Sequence, residues 1–401
     1  MNDAVLDVPD SPSYRLPPDE AKRLESLGET ELLDTPAEEG FDRITKLAQQ
    51  LFGVSGAAVS LVAEDRQFLK SAAGDLDVNV PRAESFCTHT ILTSESLIVE
   101  DATKDATFST HPAVLGEANI RFYAGHPLQG PGGHNIGALC IIDQQPHAFD
   151  DDQQGVLQDL AAIIQREIDV RTDLRHGAKI QRAHLPEWVP AVAGYTITAA
   201  CRPAGELSGD FYDWGISDGR LRFTLVDVMG KGTGPAILAA TIRAGLRAQG
   251  GRDLAAALAA VSEEMVSDLA RTESFATAFH AELNPADGVV RYSDAGHGLA
   301  YVVPARGPVR RLPTTSVPLG VMPDVQWQTC SLTLDPGDAL IVPSDGVLDL
   351  LDENLDALAA EVPHLVTSTD LPADFDRLAR LRSSVNDDVT VLIIRRDPAS
   401  A

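Results

Sequence analysis

The sequence predicts an α+β protein of two or three domains, on three observations. Its 401 residues are too many for one typical domain of about 150 residues. In both halves, short strand-like runs are joined by tight turns and stand apart from the helical runs, which points to antiparallel sheets with segregated helices. Between the halves runs a long helical stretch with no flexible Gly/Ser break.

Residues 1–19 are rich in Pro, Asp and Ser (Pro9, Pro12, Pro17, Pro18) and read as a flexible tail. A helix follows from Asp19, with Leu24, Leu27, Leu32 and Leu33 ahead of the break at Asp34-Thr-Pro36. A second helix carries Phe41, Ile44, Leu47, Ala48, Leu51 and Phe52 on one face and stops at Gly53. Ala57–Val62 reads as a buried strand, Glu64-Asp65 as a turn and Gln67–Ala72 as its partner. Leu97–Glu100 is a further short strand. Arg121–Leu128 and Asn135–Asp143 form a hairpin about Gly130-Pro-Gly-Gly133.

The stretches "LLDTPAEEGFDRITKLA", "VSLVAEDRQFLKS", "SFCTHTIL", "IRFYAGHPL" and "IGALCIID" together resemble a GAF domain of the bacterial branch. The resemblance assigns residues 20–150 to a sensor module and implies a central antiparallel sheet, packed helices and a ligand pocket on one face. It leaves the ligand unknown. Cys87, His89, His111, His126, His134 and Cys140 raise haem, metal or bilin binding as a reading. The plainer one is preferred: Cys140 alternates with Ala138 and Ile142 on a core strand, and free cysteine is commonly buried.

Residues 151–186 read as a helical linker that Pro186 ends. Val156, Leu160, Ile163, Val170 and Leu174 follow heptad spacing, interrupted at Glu167. Two readings stand: an amphipathic helix lying on the sensor sheet, or a seam that pairs two copies in parallel. The second is favoured, and a homodimer through the linker is the expectation.

In the second half, Tyr195–Cys201 and Asp210–Ile216 read as strands, and Leu221–Asp227 follows the turn Ser217-Asp-Gly-Arg220. Two Ala/Leu-rich helices span Pro235 to about Ala248 and Asp253 to about Arg271. Ala276–Leu283 and Val289–Asp294 flank Asn284-Pro-Ala-Asp-Gly288 as a hairpin. Ala339–Asp345 is a strand, short helices follow near 352–361 and 372–382, and Val389–Ile394 closes the chain as a core strand.

Carboxylates mark the ends of these strands. Asp210 opens one and Asp227 closes the next, just before a glycine-rich turn. Pro343-Ser-Asp-Gly346 and Asn386-Asp-Asp-Val-Thr390 supply two further acidic turns. Carboxylates converging with no paired Lys or Arg nearby repel one another, which points to a divalent-metal site. Mn²⁺ and Mg²⁺ favour such hard oxygen ligands. Two such ions share a water, lower its pKa and aim the hydroxide at phosphorus. Glycines after Asp227 and Asp345 let the backbone approach, so a carbonyl can join the ligands.

"SGDFYDW", "LVDVMGKGTGPA", "YSDAGHG", "PSDGVLD" and "NDDVTVLIIR" stand in the order found in PPM/PP2C serine/threonine phosphatases and resemble the SpoIIE/RsbU-like branch. This resemblance covers 187–396 and implies an α-β-β-α sandwich with two Mn²⁺ or Mg²⁺ at one edge. By position it implies that Asp227 bridges both ions and that Asp210 and the Val228 carbonyl hold one. Asp345 and Asp387 would hold the other, with Asp388 as the alternative to Asp387 or the residue that orders the loop. The usual Gly-Gly-Asp is Ser208-Gly-Asp here. Lys231 is a candidate phosphate binder, against the plainer reading of an exposed lysine. His297 is weighed as a general acid and preferred as a histidine that holds a turn. The segment Gly177–Pro186 resembles the switch helix ahead of the catalytic core.

Composition excludes other classes. A net charge of −27 argues against nucleic acid and anionic membrane surfaces as partners. None of the four cysteines forms a C-x-x-C or C-x₅-R pattern, so neither structural zinc nor cysteine phosphatase chemistry is expected. Sparse cysteines, no signal peptide and no apolar run near the ~20 residues of a membrane span imply a cytoplasmic protein. Gly230-Lys-Gly-Thr-Gly234 lacks P-loop spacing. The reading is a metal-dependent Ser/Thr protein phosphatase under a GAF sensor. By resemblance its substrate is a phosphorylated anti-sigma-factor antagonist of the STAS type, in a partner-switching stress pathway. The alternative is a GAF sensor whose phosphatase-like half is a silent docking domain.

Overall fold

The computed structural model describes residues 14–314, 316–380 and 387–398. Most of the expected tail, the 381–382 end of one expected helix, and Asn386 lie outside the described residues. The chain forms two compact units, divided between Asp173 and Leu174, inside a single helix. Among the described residues no helix is long and apolar enough to cross a membrane.

The first unit is built on one six-stranded antiparallel sheet. Helices α1 (Glu20–Thr30) and α2 (Glu39–Phe52) precede β1 (Gly56–Val62), β2 (Arg66–Ala73) and β3 (Asn79–Pro81). Then come α3 (Cys87–Thr90), β4 (Leu97–Val99), α4 (Pro112–Leu115), β5 (Phe122–Gln129), β6 (Asn135–Asp143) and the long α5 (Asp151–His184). The strand order is β3-β2-β1-β6-β5-β4. Alternation along β1 and β6 sends side chains to opposite faces. Val59, Leu61, Leu139 and Ile141 pack with Leu27, Phe41 and Ala48 of the first two helices. Ala58, Val62, Ala138 and Cys140 face the other way, toward Phe86, Cys87, Phe108 and Tyr123. A cavity of about 600 Å³ opens on that second face.

Helix α5 settles which of its rows is covered. Leu157, Leu160, Ala161, Ile164 and Ile168 join the core on the helical face of the sheet. Burying each Leu or Ile is worth about 1.5–3 kcal/mol, so this face anchors the first part of the helix. Of the residues read as a seam, Leu160 is therefore buried, whereas Val156, Ile163 and Val170 stay exposed at seven-residue spacing.

The second unit is two five-stranded antiparallel sheets face to face, with helices outside each. Its chain order is β7 (Tyr195–Arg202), β8 (Asp210–Ser217), β9 (Arg220–Val228), α6 (Thr233–Ala248), α7 (Leu254–Arg271), β10 (Ala276–Asn284) and β11 (Val289–Ala295). There follow β12 (Tyr301–Val303), β13 (Arg310–Arg311), β14 (Cys330–Thr333) and β15 (Ala339–Pro343), then α8 (Gly346–Asp349), α9 (Leu355–Thr367), α10 (Leu371–Ala379) and β16 (Val389–Arg396). One sheet runs β14-β11-β10-β9-β8 and the other β13-β12-β15-β16-β7. Trp214, Phe223, Leu225, Phe279, Leu340 and Leu392 fill the space between them. Helices α6 and α7 cover the first sheet through Ile242, Leu258 and Leu269. Helices α8–α10 cover the second through Val347, Leu358 and Phe375. The result is the α-β-β-α sandwich expected. Strands β12 to β14 were not anticipated, because two to four residues are too few for a period to be read.

Candidate metal centre

Two strand pairings bring the acidic turns together. Asp210 and Asp227 stand directly opposite each other in the β8–β9 ladder, where facing side chains lie about 5 Å apart. On the other sheet β15 pairs with β16, which brings Asp345, just past β15, beside Asp387 and Asp388, just before β16. Ser344 fastens this junction: its amide donates to the Thr390 carbonyl at 2.8 Å and its hydroxyl accepts from the Thr390 amide at 2.9 Å. Gly346 is required by the same crossing. A Cβ there would come 2.0 Å from the Asp388 carbonyl oxygen.

Asp388 ties the two sheets to each other. Its carboxylate accepts the amides of Ala204 at 2.6 Å and Gly209 at 2.7 Å, so it shapes the loop that delivers Asp210. Gly209 packs tightly too, since a Cβ would sit 2.9 Å from the Val228 carbonyl oxygen. The serine in Ser208-Gly-Asp has its own part, with its hydroxyl accepting the Asp210 amide at 3.0 Å.

The electrostatics are those of crowded like charges. Burial, then the charge of Asp227, raises the Asp210 carboxyl well above the carboxylate range. Its Oδ2 is buried without a hydrogen-bond partner. Burial, then Asp345 and Asp387, pushes Asp227 up to about 8. Asp345 is raised by burial and by Asp349, and it shares a hydrogen bond with Asp227. Asp387 is raised by burial, Asp345 and Asp349. Burial leads on all four, and among the described residues no Lys or Arg is a leading influence on any of them. A set of hard oxygen donors with an orphaned buried carboxylate oxygen fits a divalent cation of the Mg²⁺ or Mn²⁺ type. Among the described residues, no three His, Cys, Asp or Glu already converge at ligand spacing.

The remaining candidates fall around this cluster. Val228 ends β9 next to Asp227, with its carbonyl against Gly209. Lys231 is exposed in the turn before α6. His297 is buried, its Nδ1 lies 3.2 Å from the Thr277 hydroxyl, and burial pushes its pKa down to about 4. It is therefore neutral at pH 7 and poorly suited to donate a proton as an acid. Asp294 holds its turn by accepting the amides of His297 and Gly298.

Two contributors escaped the sequence reading. Asp349 lies one helical turn past Asp345 and adds to the negative field. Gln181 of α5 grips the Ser208 backbone from both sides. Its Oε1 accepts the Ser208 amide at 2.9 Å and its Nε2 donates to the Ser208 carbonyl at 2.6 Å. Ala178 packs with Leu207 and Ala236 in the same place. The end of the linker thus rests on the loop that carries Asp210.

The raised carboxyls give the metal-free protein a definite pH dependence. A carboxyl whose folded pKa exceeds its unfolded value binds its proton more tightly in the fold. Its contribution to stability is full below about pH 4 and is lost as pH rises toward the folded value, about 8 for Asp227. In EDTA, stability should fall across this range. Asp210→Asn should flatten the fall and raise stability at pH 8. Urea unfolding at several pH values measures both, and an unchanged slope with a lower midpoint would refute the account.

Comparison with known proteins agrees with both halves. The GAF domain family matches residues 36–168, and the Stage II sporulation protein E (SpoIIE) family matches residues 217–397. The second span includes Asp227, Asp345, Asp387 and Asp388 and begins after Asp210. A cyclic di-GMP phosphodiesterase of Pseudomonas aeruginosa is 39% identical over 137 residues, which are 34% of this chain and 23% of that protein. Phosphoserine phosphatase RsbU of Bacillus subtilis is 25% identical over 246 residues, 58% of this chain and 72% of that protein. Protein IcfG of Synechocystis is 30% identical over 208 residues, and the match spans 33% of its length. Of the first two curated relatives, then, this chain spans a third or less. Among solved structures, the SiaA-PP2C domain of Pseudomonas aeruginosa is similar with a TM-score of 0.50 at 22% identity, over 58% of this chain and 99% of that domain. That likeness concerns the fold. The chain is a GAF domain joined to a PP2C-type domain of the SpoIIE family.

Proposed function

We propose that the protein is a metal-dependent phosphatase of phosphoserine or phosphothreonine proteins, regulated through its GAF domain. The observation that carries this reading is the carboxylate cluster at the adjoining sheet edges, with Asp210 buried, Asp227 and Asp387 half-buried and Asp345 exposed. In it Asp210 and Asp227 are crowded by other acids and, among the described residues, no Lys or Arg is a leading influence on either. A silent docking domain gains nothing from keeping such groups together, since their repulsion costs stability.

In this reading Asp227 would serve both of two Mn²⁺ or Mg²⁺ ions. Asp210 and the Val228 carbonyl would hold one, and Asp345 and Asp387 would hold the other. When bound, the ions supply an activated water for attack on phosphorus and neutralise the phosphoryl oxygens. Asp388 stays outside the ligand set, because its oxygens are taken by the amides of Ala204 and Gly209. Lys231, in the turn beside Asp227, is the side chain offered to the phosphoryl group. His297 contributes no proton.

The substrate we propose is a phosphorylated STAS-type anti-sigma-factor antagonist of a partner-switching stress response in the cytoplasm; similarity to phosphoserine phosphatase RsbU supports phosphoserine as the group acted on. The GAF ligand would act through the contact of Gln181 with Ser208. The exposed row of Val156, Ile163 and Val170 supports a homodimer paired along α5.

Three outcomes test these statements. Phosphate release from a phosphoserine-bearing antagonist protein should require Mn²⁺, stop with EDTA and fall to background in Asp227→Asn. Full activity of that variant would sink the metal assignment. Gln181→Ala should raise the Mn²⁺ concentration for half-maximal rate about tenfold or more, as loss of a group supporting a metal ligand does. An unchanged metal titration would uncouple the linker from the site. Light scattering should give a dimer mass for the wild type and a monomer mass for Ile163→Glu; a wild-type monomer across a wide concentration range would remove the pairing.

A further inference from the structure

The cavity of the GAF domain holds chemistry that phosphate hydrolysis does not use. Two cysteines line it side by side. Cys87 Sγ lies 3.6 Å from Cys140 Sγ, across 53 residues of sequence. They come from unlike elements, Cys87 from the four-residue α3 and Cys140 from the middle of β6, between β1 and β5. The Tyr123 hydroxyl donates to Cys87 Sγ at 3.4 Å and lies 2.5 Å from the Thr90 hydroxyl. Cys140 Sγ sits 3.6 Å from the Ala58 carbonyl.

This setting divides the two thiols into roles. Contact with Cys140 and the hydrogen bond donated by Tyr123 outweigh burial and hold the Cys87 thiol below its ordinary range. The same contact, together with burial, holds Cys140 well above it. Tyr123 donates to Cys87 while Cys140 donates to the Ala58 carbonyl, so Cys87 is the sulfur placed to be the thiolate and Cys140 the one placed to keep its proton, the arrangement of a nucleophile beside a resolving thiol.

The walls restrict what reaches the pair. The cavity of about 600 Å³ is lined by Asp75, Asp77, Glu84, Glu117 and Asp143, with no Lys or Arg in the lining. Such a field repels anions and leaves neutral molecules free to enter.

We infer that Cys87 and Cys140 are a redox-active pair that reacts with small neutral hydroperoxides. The Cys87 thiolate attacks the terminal peroxide oxygen. An S–O bond forms, the O–O bond breaks, and the leaving alkoxide or hydroxide takes a proton. Cys87 is now a sulfenic acid, oxidised by two electrons, and the peroxide is reduced by two. Cys140 then attacks the Cys87 sulfur. The S–S bond forms, the S–O bond breaks, and the hydroxyl departs as water with the Cys140 proton. The balance is two thiols and one hydroperoxide giving one disulfide, one alcohol or water, and one water. The sulfurs must close by about 1.5 Å to reach disulfide length. Cys140 is fixed within the sheet, so the movement falls on α3 and breaks the Tyr123 bond. This inference rests on the GAF domain alone and is independent of the metal centre.

The test uses the full-length protein, reduced and then exposed to graded hydrogen peroxide. Free thiols are capped with iodoacetamide and the peptides are weighed. The expected product is a Cys87–Cys140 cross-link, two hydrogens lighter than the separate peptides and reversed by dithiothreitol. Cys87 should react at least about tenfold faster than Cys201, whose thiol burial pushes up to about 12. In Cys140→Ser the sulfenic acid should persist on Cys87 and be trapped by dimedone. Oxidised glutathione, an anion, should leave Cys87 unmodified. The wild-type cross-link decides the matter even where the serine variant misfolds. Both thiols remaining free, or Cys87 reacting no faster than Cys201, would overturn the redox pair. A glutathione adduct on Cys87 would overturn the neutral-substrate selection.

Discussion

Asp388 accepts two backbone amides from the loop that crosses from β7 in one sheet to β8 in the other, and the candidate site depends on that one carboxylate. It stands just before β16 in one sheet and fixes the approach to β8 in the other. A charge-assisted bond to a backbone amide is among the stronger protein hydrogen bonds, and here it sets the separation of two acidic strand ends that repel each other. Ser344 and Gly346 serve the same purpose from the β15 side. The acidic residues therefore divide by what they meet. Asp388 and Asp294 are engaged with backbone amides. Asp210, Asp227, Asp345 and Asp387 are crowded by other acids.

The linker helix carries two kinds of contact at its two ends. Up to Ile168 it is an ordinary core helix, covered along one face by the sheet of the first unit. From Leu174 onward its small and polar residues take over: Ala178 against Leu207, and Gln181 against the Ser208 backbone. An apolar contact fixes position with little regard to angle. A paired amide contact is directional, because hydrogen bonds weaken steeply once bent. The C-terminal end of the helix is thus held by the directional contact, and it bears on the loop that delivers Asp210.

Much of this was legible in the sequence, and the gaps have physical causes. Asp210 and Asp227 were found because a strand, a tight turn and a strand place their ends together. The helix at 151–184 was found as well, but its covered face was not. Val156, Ile163 and Val170 form one apolar row, and Leu157, Ile164 and Ile168 form another about one residue away. Periodicity announces an apolar row without saying which row meets a sheet. Gln181 was passed over because an amide on a helix carries no distinguishing pattern. The proximity of Cys87 and Cys140 was equally hidden. Cys140 reads correctly as a buried strand residue, yet nothing local shows that α3 folds down upon β6.

The crossing at Gly346 has a consequence for how relatives of this chain are sorted. Position 346 admits no side chain, since its Cβ direction is filled by the Asp388 backbone at 2.0 Å. A relative that retains every aspartate but has gained even a methyl group there must displace the start of the last strand, and with it two of those aspartates. Its inventory of ligands would look complete while their arrangement had been lost. In such a chain the telling residue would be the smallest one, and it would mark the loss before any carboxylate disappeared.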